Sequence, residues 1–531
     1  MRKNNFSSMV KAVRNAYKSG QEDETLEPII LVDKRKNPIG RLKNGDYIIF
    51  YNIRGEREIE LSQSLINEDF NHFPIKKDLK INLVTMIEYH PYLKAKIAFP
   101  PLGEIKDTLS EILSKYGLNQ LKISESEKAV HINYFFNGKR IQAFPREERI
   151  IIPSPTNIKN YNERPEMSIK EVSHTIIKKL KNKKYDFFLV NFANVDVVGH
   201  IEDENAVQKA VEAVDYYMGK LVKEALKLGI TIIVTADHGT VEEWLYPEGT
   251  VNTGHTKNPV PFILIDPIYN LKKDIILRKE GELSDIAPTI LSLFNIPKSE
   301  LMTGKTLILN NSPIFRKKNR ILLIILDGWG LREEKWGNMI AKANTPNFDY
   351  LWRKYPSTKL RASGEAVGMP SGTVGNSETG HLHLGAGRII YSDRLRIDKS
   401  IKDGSFFKNK ILLWAMNEAR KNKKSLHLMG IVSFYSSHGT IKHLFALLKM
   451  AKNLNLNNVF IHSFLGRRGE KPESGAIYID KVEQETHKLG VGKVVSIIGR
   501  YWALDREENW DRIEKTYRML VYGEGKHVIE F

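Results

Sequence analysis

The stretch "RILLIILDGWG" (320–330) decides the fold: six aliphatic residues in a row stop at Asp327. A short apolar run that ends on a carboxylate is how a strand buried on both faces delivers a ligand to the carboxyl edge of a parallel sheet. Two other runs read the same way. "YDFFLVNFANVDVVGH" (185–200) leads to Asp196 and His200, and "ITIIVTADHG" (230–239) ends on Asp237 and His238. A fourth candidate ligand, His255, sits in "NTGHTKNP" (252–259). Around these runs, strand-like segments alternate with charged segments of helical period over most of the chain, which places it in the α/β class.

At 531 residues the chain is too long for one ordinary core, so two domains are expected. Hydrophobic residues make up 41%, enough for packed globular domains, and no apolar run is long enough to span a bilayer. Cys is absent, which excludes disulfides, thiolate metal sites and Cys nucleophiles. The net charge of +18 raises nucleic acid as a partner. Lys and Arg are interleaved with Glu throughout, however, and no basic block with interleaved aromatics stands out, so neither nucleic acid nor membrane is expected as a partner. The N-terminal "MRKNNFSSMVKAVRNAYKSG" has the composition of a transit peptide but reads better as an amphipathic helix closing on Gly20. Linkers are expected at "KIAFPPLGE" (96–104), a Pro pair between helical patterns, and at the polar, basic "NNSPIFRKKNR" (310–320).

The residue types point to metal chemistry. Asp196 and His200 are four apart, so one helical turn puts them on one face. With His255 they make a three-ligand site with an open position. Asp237, His238 and Asp327 make a second. Mixed Asp and His ligands suit manganese or zinc better than magnesium. Unconnected surface His and Asp residues are the competing explanation, and the repeated placement at strand ends argues against it. The Gly-rich "MPSGTVGNSETGHLHLGAGR" (369–388) offers Ser377 where backbone can approach a phosphate. No Ser-His-Asp spacing is evident, so metal coordination is the expected way to activate that hydroxyl. Taken alone, the segment is also consistent with an ordinary turn. Arg54, Arg57, Arg500, Arg506 and Lys128 are candidate anion contacts, although in a chain with 81 Lys and Arg any one of them is more often surface decoration.

As a set, "LLIILDGWGLRE", "GNSETGHLHLGAGR", "LHLMGIVS", "GRYWALDRE", "YNIRGER", "ESEKAVH", "FFNG", "IPSP", "NFANVDVVGH", "TADHG" and "GHTKNPVPFI" resemble the cofactor-independent phosphoglycerate mutases of the alkaline-phosphatase superfamily. The resemblance covers nearly the whole chain, in a different order. The family opens on the "LDGWG" strand, which here begins at Arg320, and closes on the segments that here precede about 309. The sequence therefore resembles a circular permutant.

What this implies is an alkaline-phosphatase-like metal domain over 104–391, with 309–319 as the junction loop, and a second α/β substrate domain made of 1–103 and 392–531. Asp196, His200 and His255 are implied as ligands of one metal, and Asp327, Ser377, Asp237 and His238 as ligands of the other. Ser377 is implied as the phosphoryl-carrying nucleophile and Lys128 as the cation beside it. His438, Arg468, Arg500, Arg506, Arg54 and Arg57 are implied as substrate contacts. The implied reaction interconverts 3-phosphoglycerate and 2-phosphoglycerate with two divalent metals, manganese first and magnesium, cobalt or zinc as alternatives, and no bisphosphoglycerate. The implied protein is a cytoplasmic monomer whose two domains close on the substrate.

Two segments depart from the pattern. "GRRGEKP" (466–472) stands where the family has a "DGRDTPP"-like loop, so Arg468 is kept and the following Asp is Gly469; Glu470 is the expected substitute carboxylate. "SFYSSHGT" (433–440) replaces an "SDGGVHSH"-like segment and keeps His438. These losses leave a metal-dependent phosphatase or another phosphomutase as the alternative activity. A non-catalytic binding protein is the other alternative.

Overall fold

The computed structural model describes residues 7–268, 275–309, 320–434, 436–466 and 473–530. They form two compact α/β units, Met1–Pro101 with Asp393–Phe531, and Leu102–Ser392.

The second unit is built on an eight-stranded sheet. Its order is Glu280–Glu282, Ser357–Arg361, Val260–Ile265, Thr231–Thr235, Ile321–Leu326, Phe187–Phe192, Gln120–Glu125 and Glu147–Ile152. The Ile321–Leu326 strand is central and runs parallel to both neighbours, with Leu326 opposite Phe192 and Ile325 opposite Thr235. All six of its residues are buried, as expected of a strand covered on both faces. The sheet is mixed because Val260–Ile265 runs antiparallel to both strands beside it. The long helix Glu204–Lys227 starts on Asp203, whose side chain accepts from the Ala206 N–H. It buries Val207, Ala210, Val211, Val214, Met218, Leu221, Val222 and Ala225, a stripe of helical period. Each of the larger side chains contributes about 1.5–3 kcal/mol of hydrophobic stabilisation.

The first unit also carries eight strands, in the order Lys526–Ile529, Ile29–Val32, Lys493–Gly499, Val459–Leu465, Leu426–Ile431, Tyr47–Phe50, Asn82–Ile87 and Lys96–Phe99. Residues before 102 and after 392 therefore interleave in one sheet: Ile29–Val32 lies between two C-terminal strands, and Leu426–Ile431 pairs in parallel with Tyr47–Phe50. Lys96–Phe99 is an edge strand beside Asn82–Ile87. The segment before Pro100 is thus extended and not helical; Lys96 is exposed and Ala98 buried, and the two prolines follow the strand. The N-terminal segment is a helix, Ser8–Lys18, followed by Gly20 at φ +83°. Among the described residues, no helix is long and apolar enough to cross a membrane.

Candidate metal centre

Three neighbouring parallel strands of the second unit end at one place. Asp327 follows Ile321–Leu326 directly, Asp237 and His238 follow Thr231–Thr235, and Asp196 lies on the one-turn helix Asn194–Gly199 after Phe187–Phe192. The turn after Asp327 needs glycine: Gly328 has φ +82°, and a Cβ there would lie 2.9 Å from the Asp196 backbone nitrogen. Its N–H donates to Asp237 Oδ1 at 3.2 Å, and the Asp196 N–H donates to the Asp327 carbonyl at 3.1 Å.

Three imidazoles converge on one oxygen. Asp196 Oδ1 lies 3.3 Å from His200 Nε2, 3.6 Å from His238 Nε2 and 3.2 Å from His255 Nε2. In each ring the other nitrogen, Nδ1, faces a backbone carbonyl: Thr253 for His200, Gly239 for His238 and Gly375 for His255. A carbonyl only accepts, so each Nδ1 carries a proton, and each Nε2 is the nitrogen left to bind a cation or, without one, to take a proton towards Asp196 Oδ1. His200 Nε2 and His255 Nε2 stand 3.2 Å apart, and two lone pairs at that distance call for a cation or a shared proton between them. Two groups of ligand atoms result, Asp196–His238–His255 and Asp237–His238–Asp327, with His238 in both. Asp237 Oδ2 is buried and accepts no well-directed hydrogen bond among the described residues, although His381 Nδ1 and His238 Nε2 lie 3.2 and 3.4 Å from it. This donor set fits a pair of divalent cations of the nitrogen- and oxygen-binding kind.

Ser377 is the first residue of the helix Ser377–Ala386, capped by Asn376, whose side chain accepts from the Thr379 N–H at 2.9 Å. The helix packs close because Gly380 has no side chain; a Cβ there would lie 2.6 Å from the Asp237 carbonyl oxygen. Ser377 Oγ lies 3.0 Å from His238 Nε2 and 3.3 Å from Asp327 Oδ1. The helix N-terminus favours negative charge at this point. Lys128, in the turn after Gln120–Glu125, donates to Asp196 Oδ2 at 2.6 Å, Asp327 Oδ1 at 2.7 Å and Ser377 Oγ at 2.7 Å. Its three N–H groups thus serve two carboxylates and the serine.

The electrostatics follow from burial against charge. Burial works to lower Lys128, but Asp196, Asp327 and Asp237 outweigh it and hold the ammonium well above its ordinary value. Burial likewise lowers His238, and the Asp237 and Asp196 carboxylates overcome it, pushing the ring up to about 10. For Asp196, burial is opposed by Lys128 and His238, which keep the carboxylate well below its usual range.

Sequence reasoning did not single out several neighbours. Asn191 donates to Asp327 Oδ2 at 2.7 Å from inside the Phe187–Phe192 strand. His381 places Nδ1 3.2 Å from Asp237 Oδ2. Thr240 donates to Asp196 Oδ1 at 3.3 Å. Asn191 and His381 lie inside stretches read for Asp196 and Ser377, and Thr240 follows "TADHG"; that nearness in sequence was the signal available for them.

In the first unit, Arg54 and Arg506 both pair with Glu56, at 2.8 and 3.0 Å. Arg500 pairs with Glu24 at 2.9 Å, and Arg57 Nη1 donates to the Leu504 carbonyl at 3.1 Å. His438 Nδ1 lies 3.1 Å from Glu58 Oε1. Arg468, Gly469 and Glu470 lie outside the described residues, as does most of the expected junction loop, 310–319.

Comparison with known proteins places this geometry in a family. The model of the metalloenzyme superfamily matches residues 22–298, just over half of the chain. The model of the BPG-independent PGAM N-terminus matches residues 397–530. The 2,3-bisphosphoglycerate-independent phosphoglycerate mutase of Thermomicrobium roseum is 40% identical over 305 residues, 57% of this chain and 58% of that protein. Mutase 1 of Methanosarcina barkeri is 42% identical over 301 residues, 56% of each chain. The Clostridium perfringens mutase is 49% identical over 209 residues, 39% of this chain and 41% of its own. The chain spans about half the length of the curated relatives it matches. On this match and this donor set, the chain belongs to the metalloenzyme superfamily, and within it the chain is similar to the 2,3-bisphosphoglycerate-independent phosphoglycerate mutases.

Proposed function

We propose that this protein interconverts 3-phosphoglycerate and 2-phosphoglycerate without a bisphosphate cofactor, through a phosphoserine on Ser377. The observation that carries the reading is the meeting of Ser377 Oγ with the Lys128 ammonium at 2.7 Å, beside two groups of Asp and His ligand atoms. Asp196, His200 and His255 would hold one cation, and Asp237, His238, Asp327 and Ser377 the other, with His238 close enough to serve both. When bound, the two divalent cations, manganese by preference over magnesium, cobalt or zinc, supply Lewis-acid charge to the serine oxygen and to the phosphoryl group.

The chain's own residues do the rest. Lys128 lowers the cost of negative charge on Ser377 Oγ and later on the transferring oxygens. Ser377 Oγ takes the phosphoryl group from one glycerate oxygen and returns it to the other. Both residues are buried, which limits access of water to the phosphoserine. Arg54, Arg57, Arg500, Arg506 and His438, with Arg468, bind the phosphate and carboxylate of the substrate.

The same reading assigns 104–391 as the metal domain, with 309–319 as its junction loop, and 1–103 with 392–531 as the substrate domain. It takes the chain as a circular permutant. In support, the family model of an N-terminal segment falls on residues 397–530. A cytoplasmic monomer with no membrane or nucleic-acid partner follows from the same reading.

Trapping tests the mechanism. Acid quenching after mixing with 3-phosphoglycerate should leave one phosphoryl group on the peptide that contains Ser377. Turnover with no trapped phosphoserine would sink the mechanism.

A further inference from the structure

Glu58 is 0% exposed and His438 is 3% exposed, and the two side chains meet at 3.1 Å between Oε1 and Nδ1. The carboxylate is fixed from both ends. Asn52 Nδ2 donates to Oε1 at 2.7 Å, and the Arg57 backbone N–H donates to Oε2 at 3.1 Å. Asn52 is itself oriented, because its Oδ1 accepts from the Ile431 N–H at 2.9 Å. That bond settles which end of the amide faces Glu58. The His438 backbone is pinned as well: its N–H donates to Ser436 Oγ at 3.1 Å and its carbonyl accepts from the Ile53 N–H at 2.7 Å. Ring nitrogen Nε2 has no hydrogen-bond partner among the described residues. A carboxylate whose acceptor atom faces Nδ1 requires the proton there and leaves Nε2 with a lone pair.

We propose that Glu58 is a positioning residue that fixes the His438 tautomer and presents Nε2 as the proton acceptor for a hydroxyl of the bound glycerate. The identity of the substrate rests on the mutase reading; the tautomer does not. As the hydroxyl oxygen bonds to phosphorus, its proton moves to Nε2 and His438 becomes an imidazolium beside the ionised Glu58. As Ser377 Oγ parts from phosphorus in that step it takes a proton back and Nε2 returns to its neutral form; in the earlier half-reaction that loads Ser377, the proton given up by the Ser377 hydroxyl is the one the departing glycerate oxygen takes up. No net proton is consumed over the cycle.

The test has one arm that needs no turnover. In magnesium-loaded full-length protein labelled with nitrogen-15, long-range imidazole correlations read the tautomer, and the His438 signal is identified by its loss in His438→Asn. The expected result is a protonated Nδ1 and a bare Nε2. A neutral ring protonated on Nε2 overturns the proposal whether or not the protein turns over phosphoglycerate, and needs no variant of Glu58 that folds.

The second arm is kinetic. Glu58→Gln should lower kcat on the order of 100-fold with little change in KM, the usual worth of general acid–base assistance. Glu58→Gln combined with His438→Asn should be no slower than His438→Asn alone, because Glu58 acts through the ring. Losses that simply multiply overturn the proposal and leave the mutase reading standing. Absence of mutase turnover in the unaltered protein refutes the mutase reading, and the tautomer then decides the role of Glu58 by itself.

Discussion

Lys128→Met replaces the buried ammonium with an uncharged side chain of similar length. In the metal-free protein the change leaves Asp196 and Asp327 without the cation that touches them at 2.6 and 2.7 Å. Breaking a buried pair by removing one partner costs about 3–5 kcal/mol, because the other charge stays buried and uncompensated. For a unit of this size, that loss lowers the melting midpoint on the order of 5–10 °C. The same carboxylates are the proposed metal ligands. Cations loaded into the site neutralise them, so the penalty should shrink by more than half when the melt is repeated with saturating manganese. Phosphoryl transfer should nevertheless fall by about 10²–10³, the usual worth of one electrostatic contact to the transition state. The assay pairs a calorimetric melt, with and without manganese, and a turnover measurement. An equal penalty in both melts would refute the claim that Lys128 and the metals share those carboxylates.

Ser377→Ala should abolish phosphoryl transfer while the Asp and His ligands still bind manganese in a titration; residual transfer above about a thousandth of the original rate would count against Ser377 as nucleophile. Gly328→Ala places a Cβ 2.9 Å from the Asp196 backbone nitrogen at φ +82°. It should cost at least about 1–2 kcal/mol from the left-handed backbone alone, and weaken metal binding as Asp196 shifts. Unchanged binding in calorimetry would contradict that placement. Burial raises the Glu483 carboxyl to about 7, against a weaker opposing bond from Ser7. A raised carboxyl contributes stability that is present below its unfolded value near 4.5 and lost as pH rises through the folded value. Glu483→Gln should therefore be more stable than the unaltered protein by about 1–2 kcal/mol at pH 8, with the gap closing by pH 4. Denaturation at the two pH values checks it, and a gap independent of pH would be the wrong result.

The α/β architecture was legible because buried parallel strands are written as uninterrupted apolar runs. The segments 187–192, 231–235 and 321–326 announce both the sheet and the edge where the polar residues gather. The four-residue spacing of Asp196 and His200 likewise maps directly onto the single helical turn that carries them. Contacts between distant segments were not legible. Asn191 sits in the middle of "FLVNF" and reads as one more strand residue, yet its amide reaches Asp327. His238 follows Asp237 in sequence, and nothing in that adjacency says that its Nε2 stands between two groups of ligands. Glu58 is one of many acidic residues near Arg57 until the Leu426–Ile431 strand and the segment after it bring His438 over it. Lys96–Phe99 was obscured by its short length and by the prolines that follow.

The most direct test of the central claim is phosphorus NMR of the manganese-loaded protein, stripped of excess metal, with 3-phosphoglycerate and no bisphosphate. The account predicts a growing 2-phosphoglycerate signal that approaches a fixed ratio with the starting ester. Inorganic phosphate in its place would contradict the mutase claim and make the protein a phosphatase on the same metal centre.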